Sequence, residues 1–185
     1  KRAWEERHGE VIESADQVVA AIGNLSSAPE GTDLDEAILK STYQQLAGMF
    51  DSLHGGFGSA PKFPTPHNLM FLLRYWKRSG DRQALDMVEH TLKAMQRGGI
   101  FDQVGLGFHR YSTDRTWLVP HFEKMLYDQA LIAMAFTETY QATRSPEYED
   151  TARKVFTYVL RDLVSPEGAF YTAEDADSEG LEGKF

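Results

Sequence analysis

The chain has 185 residues, 42% hydrophobic and 12% aromatic, which is enough apolar surface for one folded domain and excludes an intrinsically disordered chain. Its formal net charge of −9 repels a phosphate backbone, so general nucleic-acid binding is excluded. It has no cysteine, which excludes disulfides and favours a cytoplasmic location, and its longest apolar run, ALIAMAF, is far below the ~20 residues that span a membrane.

The first segment, residues 1–25, predicts a linker helix, and the turn-forming run GNLSSAPEGT overlaps its end. The chain opens without a methionine and stops inside a polar loop. We therefore expect it to be a piece of a longer protein.

Five further helical segments follow, and they alternate between two kinds. The segments at 33–53, 81–99 and 146–166 carry one apolar stripe, which is typical of a helix on the outside of a domain. The segments at 65–80 and 116–136 are apolar on nearly every side, which is typical of an enclosed helix. The order along the chain is therefore outer, inner, outer, inner, outer.

Two of these helices begin with capping signals. Asp33, followed three residues later by Glu36, has the spacing of a capping box. Thr65 precedes Pro66, which is a favoured residue for the first helical position.

The connections alternate as well. Those from an inner to an outer helix are short, at 79–81 and 143–146, and short connections make antiparallel neighbours. The others, at 54–65, 97–120 and 165–185, are long and carry the related phrases GGFG, GLGF and EGAFYTAED, which predict short β-hairpins. We predict an all-α fold, an α/α toroid of the six-hairpin type with about three of its helical hairpins present.

In such a ring the long loops gather at one end, where the inner helices begin, and their polar side chains converge. Helix N-termini there carry partial positive charge suited to polarised oxygens. The converging residues are Lys62, His67, Asp102, His109, Arg110, Asp114, His121, Glu123, Lys124, Asp128, Glu174, Asp175 and Asp177. This end of the ring is therefore the predicted site.

Each polar residue also has a structural explanation. His121 either caps the fourth helix or works in a site, oriented by Asp128 seven residues later on the same face. Glu123 and Lys124 fit a helix start as well as a catalytic role. Arg110 fits an ion pair with Asp102 or Asp114.

The acidic run AEDADSEGLEG has three interpretations. A calcium loop is one, although the EF-hand spacings do not fit. A glycosidase carboxylate and hydrogen bonding within the loop are the other two. Trp117 serves either as a stacking surface for a sugar or as core, and Lys62 either as an anion anchor or as part of a rigid proline-rich loop.

Other kinds of site are not indicated by the motifs. GGFG and GLGF do not lie in a βαβ unit, so nucleotide-binding motifs are absent. No histidines have zinc-site spacing, and neither a metal nor a cofactor is predicted.

Three stretches carry a family resemblance: GGFGSAPKFPTP, GGIFDQVGLGFHRYSTDRTWLVPHFEKMLYDQA and FYTAEDADSEGLEGKF. They resemble the family of spermatogenesis-associated protein 20 and its bacterial relatives of the YyaL type, from about Asp51 to Phe185. Leu106 replaces the family's usual glycine, and Gln129 its usual asparagine.

The resemblance implies a longer protein in which a thioredoxin-like domain precedes an (α/α)6 toroid like those of N-acylglucosamine 2-epimerases and six-hairpin glycosidases. Residues 1–25 would be the tail of the thioredoxin-like domain, and residues 26–185 the first half of the toroid. The remainder of the same polypeptide is then an expected partner.

Two functions follow as hypotheses. As a carbohydrate enzyme the toroid would use His121 and His109 for epimerisation, with Glu123 and Asp128 orienting them, or Asp175 with Glu123 for hydrolysis. The expected substrate-binding residues are Lys62, Asp102, Arg110, Tyr111, Trp117, Lys124, Glu174 and Asp177. Alternatively, the toroid binds a glycan or a protein without catalysis, beside a redox-active thioredoxin-like domain.

Overall fold

The computed structural model describes residues 2–26 and 35–184, which divide into two compact units, Lys1–Ile38 and Leu39–Phe185. The first unit contains helices α1, Arg2–Glu6, and α2, His8–Ser26. The predicted cap Asp33 lies outside the described residues. Asp35 Oδ1 accepts a hydrogen bond from Ala37 N at 2.9 Å and thereby caps the next helix, α3.

The second unit is built from helices joined as the sequence predicts. They are α3, Glu36–Met49, which begins in the first unit, α4, Pro66–Ser79, α5, Arg82–Arg97, α6, Leu126–Thr143, and α7, Pro146–Asp162. α4 packs on α5 and on α6, and α6 packs on α7. The two-residue joints 80–81 and 144–145 make α4–α5 and α6–α7 antiparallel hairpins. The prediction of short inner-to-outer connections is confirmed.

The start of α4 differs from the prediction. Thr65 stands at the cap position with φ 42°, and its side chain makes no capping hydrogen bond. Its Oγ1 is buried without a partner among the described residues. Pro66 does occupy the first helical turn, so the fixed φ of proline, rather than a hydroxyl cap, sets this helix start.

The start of α6 is also later than the sequence suggests. Residues before Leu126 form short strands: β1, Tyr111–Ser112, pairs with β2, Pro120–His121, and β3, Lys124–Met125, pairs with β4, Ala173–Glu174. The last hairpin joins β5, Asp177–Ser178, to β6, Leu181–Glu182. The reading of Lys124 as a helix start is wrong, because its backbone pairs with Glu174 in a strand.

The first long loop contains a buried ion pair. Asp51 Oδ1 accepts from the backbone N of Leu53 and His54 at 3.1 and 3.2 Å. Its Oδ2 accepts from Lys62 Nζ at 2.8 Å, and Lys62 Nζ also donates to Gly55 O at 2.7 Å. We call this arrangement a loop staple, because one aspartate holds the turn while one lysine ties it to the next strand.

The second long loop repeats the staple. Asp102 Oδ1 accepts from the backbone N of Val104 and Gly105 at 2.9 and 2.7 Å, and its Oδ2 accepts from Lys124 Nζ at 2.8 Å. Lys124 Nζ also donates to Leu106 O at 3.1 Å, the carbonyl four residues after the aspartate, as in the first loop.

Each lysine lies over an aromatic ring, Lys62 over Trp117 at 5.2 Å and Lys124 over Tyr158 at 4.6 Å. Antiparallel bridges close the related turns, Phe50 with Phe57 and Phe101 with Phe108. The third loop has a similar bridge but Ser165 in place of the aspartate, and its Oγ accepts from Ala169 N at 3.2 Å. The shared glycine–aromatic phrase thus marks a repeated structural turn.

Gly56 tests the packing of the first turn. A Cβ there would lie 2.5 Å from Trp117 Cζ2, and the residue has φ +78°. Gly58 has the same φ but open space around a Cβ. In urea denaturation we expect Gly58→Ala to cost about 1–2 kcal/mol for conformation alone, and Gly56→Ala roughly 2–5 kcal/mol. Equal losses for the two variants would show that the contact with Trp117 is unimportant.

Candidate functional site

A small sheet precedes α6 and has two unlike faces. Lys62 extends it, because its backbone N and O each bond Ser112 at 2.8 Å. Lys62, Ser112 and Pro120, at paired positions across the sheet, are buried. Side chains alternate along strands, so the neighbouring residues face the other way. They are Phe63, Tyr111 and His121, all partly or largely exposed.

His121 is the centre of the polar cluster on the exposed face. Its Nδ1 lies 2.7 Å from Glu182 Oε1, and its Nε2 lies 3.7 Å from Glu123 Oε2. As a carboxylate, Glu182 can only accept a hydrogen bond, so we assign Nδ1–H as the donor. Nε2 is then left outside hydrogen-bond distance of Glu123 Oε2. The imidazole side chain is 27% exposed and can therefore meet a ligand.

Asp128 is not the residue that orients His121, as the sequence had suggested. That contact is made by Glu182, which lies 61 residues along the chain from His121 in the acidic run. Nothing in local spacing identifies this pair; the signal available was only the density of acidic residues in that run.

Arg110 and Glu123 form the second part of the cluster. Arg110 Nη1 donates to Glu123 Oε2 at 2.7 Å, and the backbone N of Arg110 donates to Glu123 O at 2.8 Å. This carboxylate raises the pKa of Arg110, which stays charged. The predicted ion pair of Arg110 with Asp102 or Asp114 is wrong.

Asp128 lies in the first turn of α6 and is partly buried. Burial raises the pKa of its carboxyl from 3.8 to about 6; nearby Arg110 opposes the change and Glu123 adds to it. The cluster thus combines two carboxyl groups: Asp128, which retains a proton near pH 6, and Glu123, which is ion-paired with Arg110.

This shift predicts a pH dependence. Because the folded-state pKa of Asp128 is raised, the protonated carboxyl contributes to the free energy of unfolding. That contribution is fully present below the unfolded pKa near 3.8 and is lost as the pH rises through about 6. We expect the wild type to lose stability relative to Asp128→Asn between about pH 4 and pH 6, measured by urea denaturation at each pH. The difference between the two proteins cancels other titrations, and a constant difference over this window would contradict the shift.

His109 lies beneath the cluster rather than in it. It is 3% exposed, its Nδ1 lies 2.9 Å from Phe122 O, and the carbonyl requires Nδ1–H to donate. Burial lowers the pKa of the ring, which stays neutral. The hypothesis of two imidazoles facing one cavity is therefore corrected: only His121 reaches the surface here.

Two further predicted binding residues lie in the core. Trp117 is 0% exposed and its Nε1–H donates to His54 O at 2.9 Å. Lys62 is also 0% exposed and is bound by Asp51. Contrary to the prediction, neither side chain can contact a ligand, because both are part of the first loop staple.

A separate cavity of about 580 Å³ lies beside the second loop staple. Asp102, Lys124 and Glu174 line it together with residues at the end of α7. Lys124 is bound by Asp102, and Tyr158 donates to Glu174 Oε2 at 2.5 Å. These predicted binding residues already have partners inside the chain, which favours a structural role for them.

The acidic run also folds largely on itself. Asp175 is exposed, and its Oδ1 accepts from Asp177 N at 3.1 Å, while Asp177 begins the β5–β6 hairpin. This hairpin delivers Glu182 to His121. The carboxylates brought together around the imidazole are therefore Glu123 and Glu182, in place of the predicted Glu123 and Asp175.

Neither clustered metal ligands nor a membrane-spanning helix is found in the part of the chain that the structure describes. Among residues 2–26 and 35–184, no group of three or more His, Cys, Asp or Glu side chains is arranged to hold a metal ion. In the same residues, no helix is both long and apolar enough to cross a membrane.

Comparison with known proteins shows which family the chain resembles. No protein-family model matches it. Over its full length it is 42% identical to spermatogenesis-associated protein 20 of Homo sapiens. The resemblance to the spermatogenesis-associated protein 20 family is confirmed. The chain spans about a quarter of that relative's length, 24%.

Solved structures show the fold. A cellobiose 2-epimerase from Bacillus thermoamylovorans matches with a TM-score of 0.65 at 17% identity, over 75% of this chain and 40% of that one. A glycoside hydrolase family 76 mannosidase from Bacteroides thetaiotaomicron matches with a TM-score of 0.52 at 18% identity, over 60% of this chain and 30% of that one. The predicted six-hairpin α/α toroid fold is therefore confirmed, and identities this low carry the fold alone.

Proposed function

We propose that this chain supplies one wall of a carbohydrate site and that the cluster around His121 transfers a proton to and from a sugar carbon, as in epimerisation. The observation that carries the proposal is the imidazole of His121, bound through Nδ1 to Glu182 Oε1 at 2.7 Å, with Nε2 3.7 Å from Glu123 Oε2 and so beyond hydrogen-bond distance. The sugar-epimerase fold of its structural neighbour supports the same class of substrate.

The chemistry follows from the geometry. Nε2 of His121 takes the proton from the carbon next to the carbonyl of an open-chain sugar, which leaves an enediolate. Glu182 stabilises the imidazolium that forms, as an orienting carboxylate does in a histidine dyad. Return of a proton to the opposite face of that carbon gives the epimer. Asp128, whose pKa is raised to about 6, is the candidate acid in this chain.

Hydrolysis fits the cluster less well. A glycosidase needs two carboxyl groups roughly 5–9.5 Å apart with the sugar between them. Here the imidazole of His121 occupies the space between Glu123 and Glu182. Arg110 is also ion-paired with Glu123, and a nearby positive charge favours the ionised form of a carboxyl. Glu123 is therefore better suited to orient a neighbour than to act as the general acid of a glycosidase.

We also propose that residues 26–185 are the first half of the toroid and residues 1–25 the tail of a thioredoxin-like domain, in a cytoplasmic protein. The match to 40% of the epimerase chain supports the first part. Apolar side chains at the edge of the unit support it too, since Met134, Phe156 and Leu160 are 48%, 49% and 66% exposed.

A thermal-shift screen of the full-length protein against mono- and oligosaccharides tests the proposal. A ligand that binds only the folded state raises Tm. We expect a shift with at least one sugar, lost in His121→Gln and kept in His90→Gln, a control on an exposed face of α5. No shift across the panel with all three proteins folded would contradict the proposal and favour the non-catalytic, protein-binding alternative.

A further inference from the structure

Proton transfer at His121 produces a negative charge on the sugar. When the carbon next to a carbonyl loses its proton, the charge develops on oxygen, and stabilising such charge is usually the largest single contribution to catalysis. Glu182 is a carboxylate bound to the other ring nitrogen of His121, so it cannot serve this purpose. The chemistry therefore calls for a fixed positive charge close to Nε2 of His121.

Arg110 and His121 meet at one carboxylate oxygen. Glu123 Oε2 accepts from Arg110 Nη1 at 2.7 Å and lies 3.7 Å from His121 Nε2. The strand register holds the two side chains near each other, because Tyr111, which follows Arg110, pairs with His121. The guanidinium is therefore close to the ring nitrogen that takes the proton.

The guanidinium of Arg110 retains donors for a ligand. It carries five N–H groups in a planar fork, and the hydrogen bond to Glu123 uses one of them. The Arg110 side chain is 40% exposed, more than that of Glu123 at 24%. The hydrogen bond with Glu123, together with the nearby Tyr127, raises the pKa of Arg110, so the positive charge is permanent.

The Arg110–Glu123 pair differs from the structural ion pairs of the chain. In the two loop staples the side chains of Lys62 and Lys124 are 0% and 3% exposed. The strands at Arg110 are already joined by its backbone N, which donates to Glu123 O at 2.8 Å. An ion pair between partly exposed side chains adds little to folding stability, so folding alone does not explain this one.

We propose that Arg110 is a catalytic residue of the His121 site and that its guanidinium binds the enediolate oxygen of the sugar. When Nε2 takes the proton, the electrons of the C–H bond form a carbon–carbon double bond, and those of the carbonyl move to its oxygen. The free N–H groups of Arg110 donate to that oxygen. Return of a proton to carbon restores the carbonyl.

Glu123 has a clear part in this arrangement. Its hydrogen bond with Arg110 fixes the fork before the charge forms, which is the condition for strong electrostatic stabilisation. Glu123 is thus a positioning residue, whereas Arg110 touches the reacting group. This assignment rests on the proposed function of His121.

Proton exchange in D₂O tests the assignment in the full-length protein. Cellobiose, glucose and mannose are followed by NMR at the carbon next to the carbonyl, with Tm as the check of folding. We expect Arg110→Ala to lower kcat about 10²–10³-fold with little change in KM, the usual loss when one donor to a developing oxyanion is removed. If Arg110→Ala does not fold, Arg110→Gln replaces it.

Two recoveries and one control separate charge from structure. Arg110→Lys keeps the charge without the planar fork and should recover part of kcat. Guanidinium chloride, at concentrations that leave Tm unchanged, should do the same for Arg110→Ala. Arg82→Ala removes an arginine bound to Asp86 on α5 and should exchange at the wild-type rate.

The outcomes distinguish the two proposals. A wild-type kcat in Arg110→Ala, with exchange still lost in His121→Gln, overturns the role of Arg110 and leaves the proposed function standing. A rise in KM alone also overturns it, because the guanidinium would then bind the sugar without acting on the reaction. A loss that neither lysine nor guanidinium recovers overturns it as well, since the defect is then structural. If the wild type exchanges no proton with any of the three sugars, both proposals fail together.

Discussion

Replacing Asp51 with alanine lowers the free energy of unfolding by roughly 3–5 kcal/mol, the usual cost of removing one partner of a buried ion pair. Asp51 and Lys62 are 4% and 0% exposed. Without the carboxylate, Lys62 Nζ retains two carbonyl oxygens but no counter-charge. The turn also loses the acceptor for the backbone N of Leu53 and His54. Urea denaturation of wild type and variant measures the loss.

The second loop staple supplies the matched control. Asp102 makes the matching backbone and lysine contacts, but Asp51 Oδ2 also accepts from Arg115 Nε at 2.7 Å, and the Asp102 side chain is 23% exposed against 2% for Asp51. We expect Asp102→Ala to cost less than Asp51→Ala. Adding Lys62→Met to Asp51→Ala should recover part of the loss, because the unpaired buried charge is then removed. A loss below about 1 kcal/mol in Asp51→Ala would mean that the staple is not a source of stability.

Replacing His121 with glutamine reduces the rate of proton transfer on a sugar by about 10²–10⁴-fold, the range that general acid–base catalysis contributes. Glutamine keeps the size and polarity of the side chain but cannot accept a proton at neutral pH. The rate is measured in D₂O by NMR, as loss of the proton signal at the carbon next to the carbonyl of a sugar that binds the full-length protein.

Glu182→Gln separates orientation from chemistry. It preserves an acceptor for the Nδ1–H of His121 but removes the charge that stabilises the imidazolium, so we expect a smaller loss of exchange than in His121→Gln. His90→Gln should exchange at the wild-type rate. Wild-type exchange in His121→Gln would rule out this imidazole as the base.

The helical architecture was accessible from the sequence, because helical periodicity and joint length act locally. The stripe on α5 and the all-round apolar α6 separate outer from inner helices, and the short joints at 80–81 and 144–145 fix antiparallel neighbours. Boundaries were less accessible. The stretch before Leu126 has a helical pattern in the sequence but pairs as strand with Tyr111–Ser112 and with Ala173–Glu174. The second of these partners lies far away in the sequence, beyond α7.

The candidate site was predicted as a region rather than as a set of contacts. His121, Glu123 and Arg110 do meet, yet the residue that holds His121 is Glu182, brought in by a hairpin whose position depends on the whole unit. Trp117 and Lys62 were misassigned because a buried loop staple looks polar and aromatic in sequence, just as a binding site does.

A structure of the full-length protein with the sugar that gives the largest thermal shift tests the central claim most directly. The account predicts the carbon next to the sugar carbonyl within about 3–3.5 Å of His121 Nε2, the distance of a reactive pair, with Glu182 still bound to Nδ1. A sugar that occupies another face of the domain, with His121 and its carboxylates untouched, would contradict it.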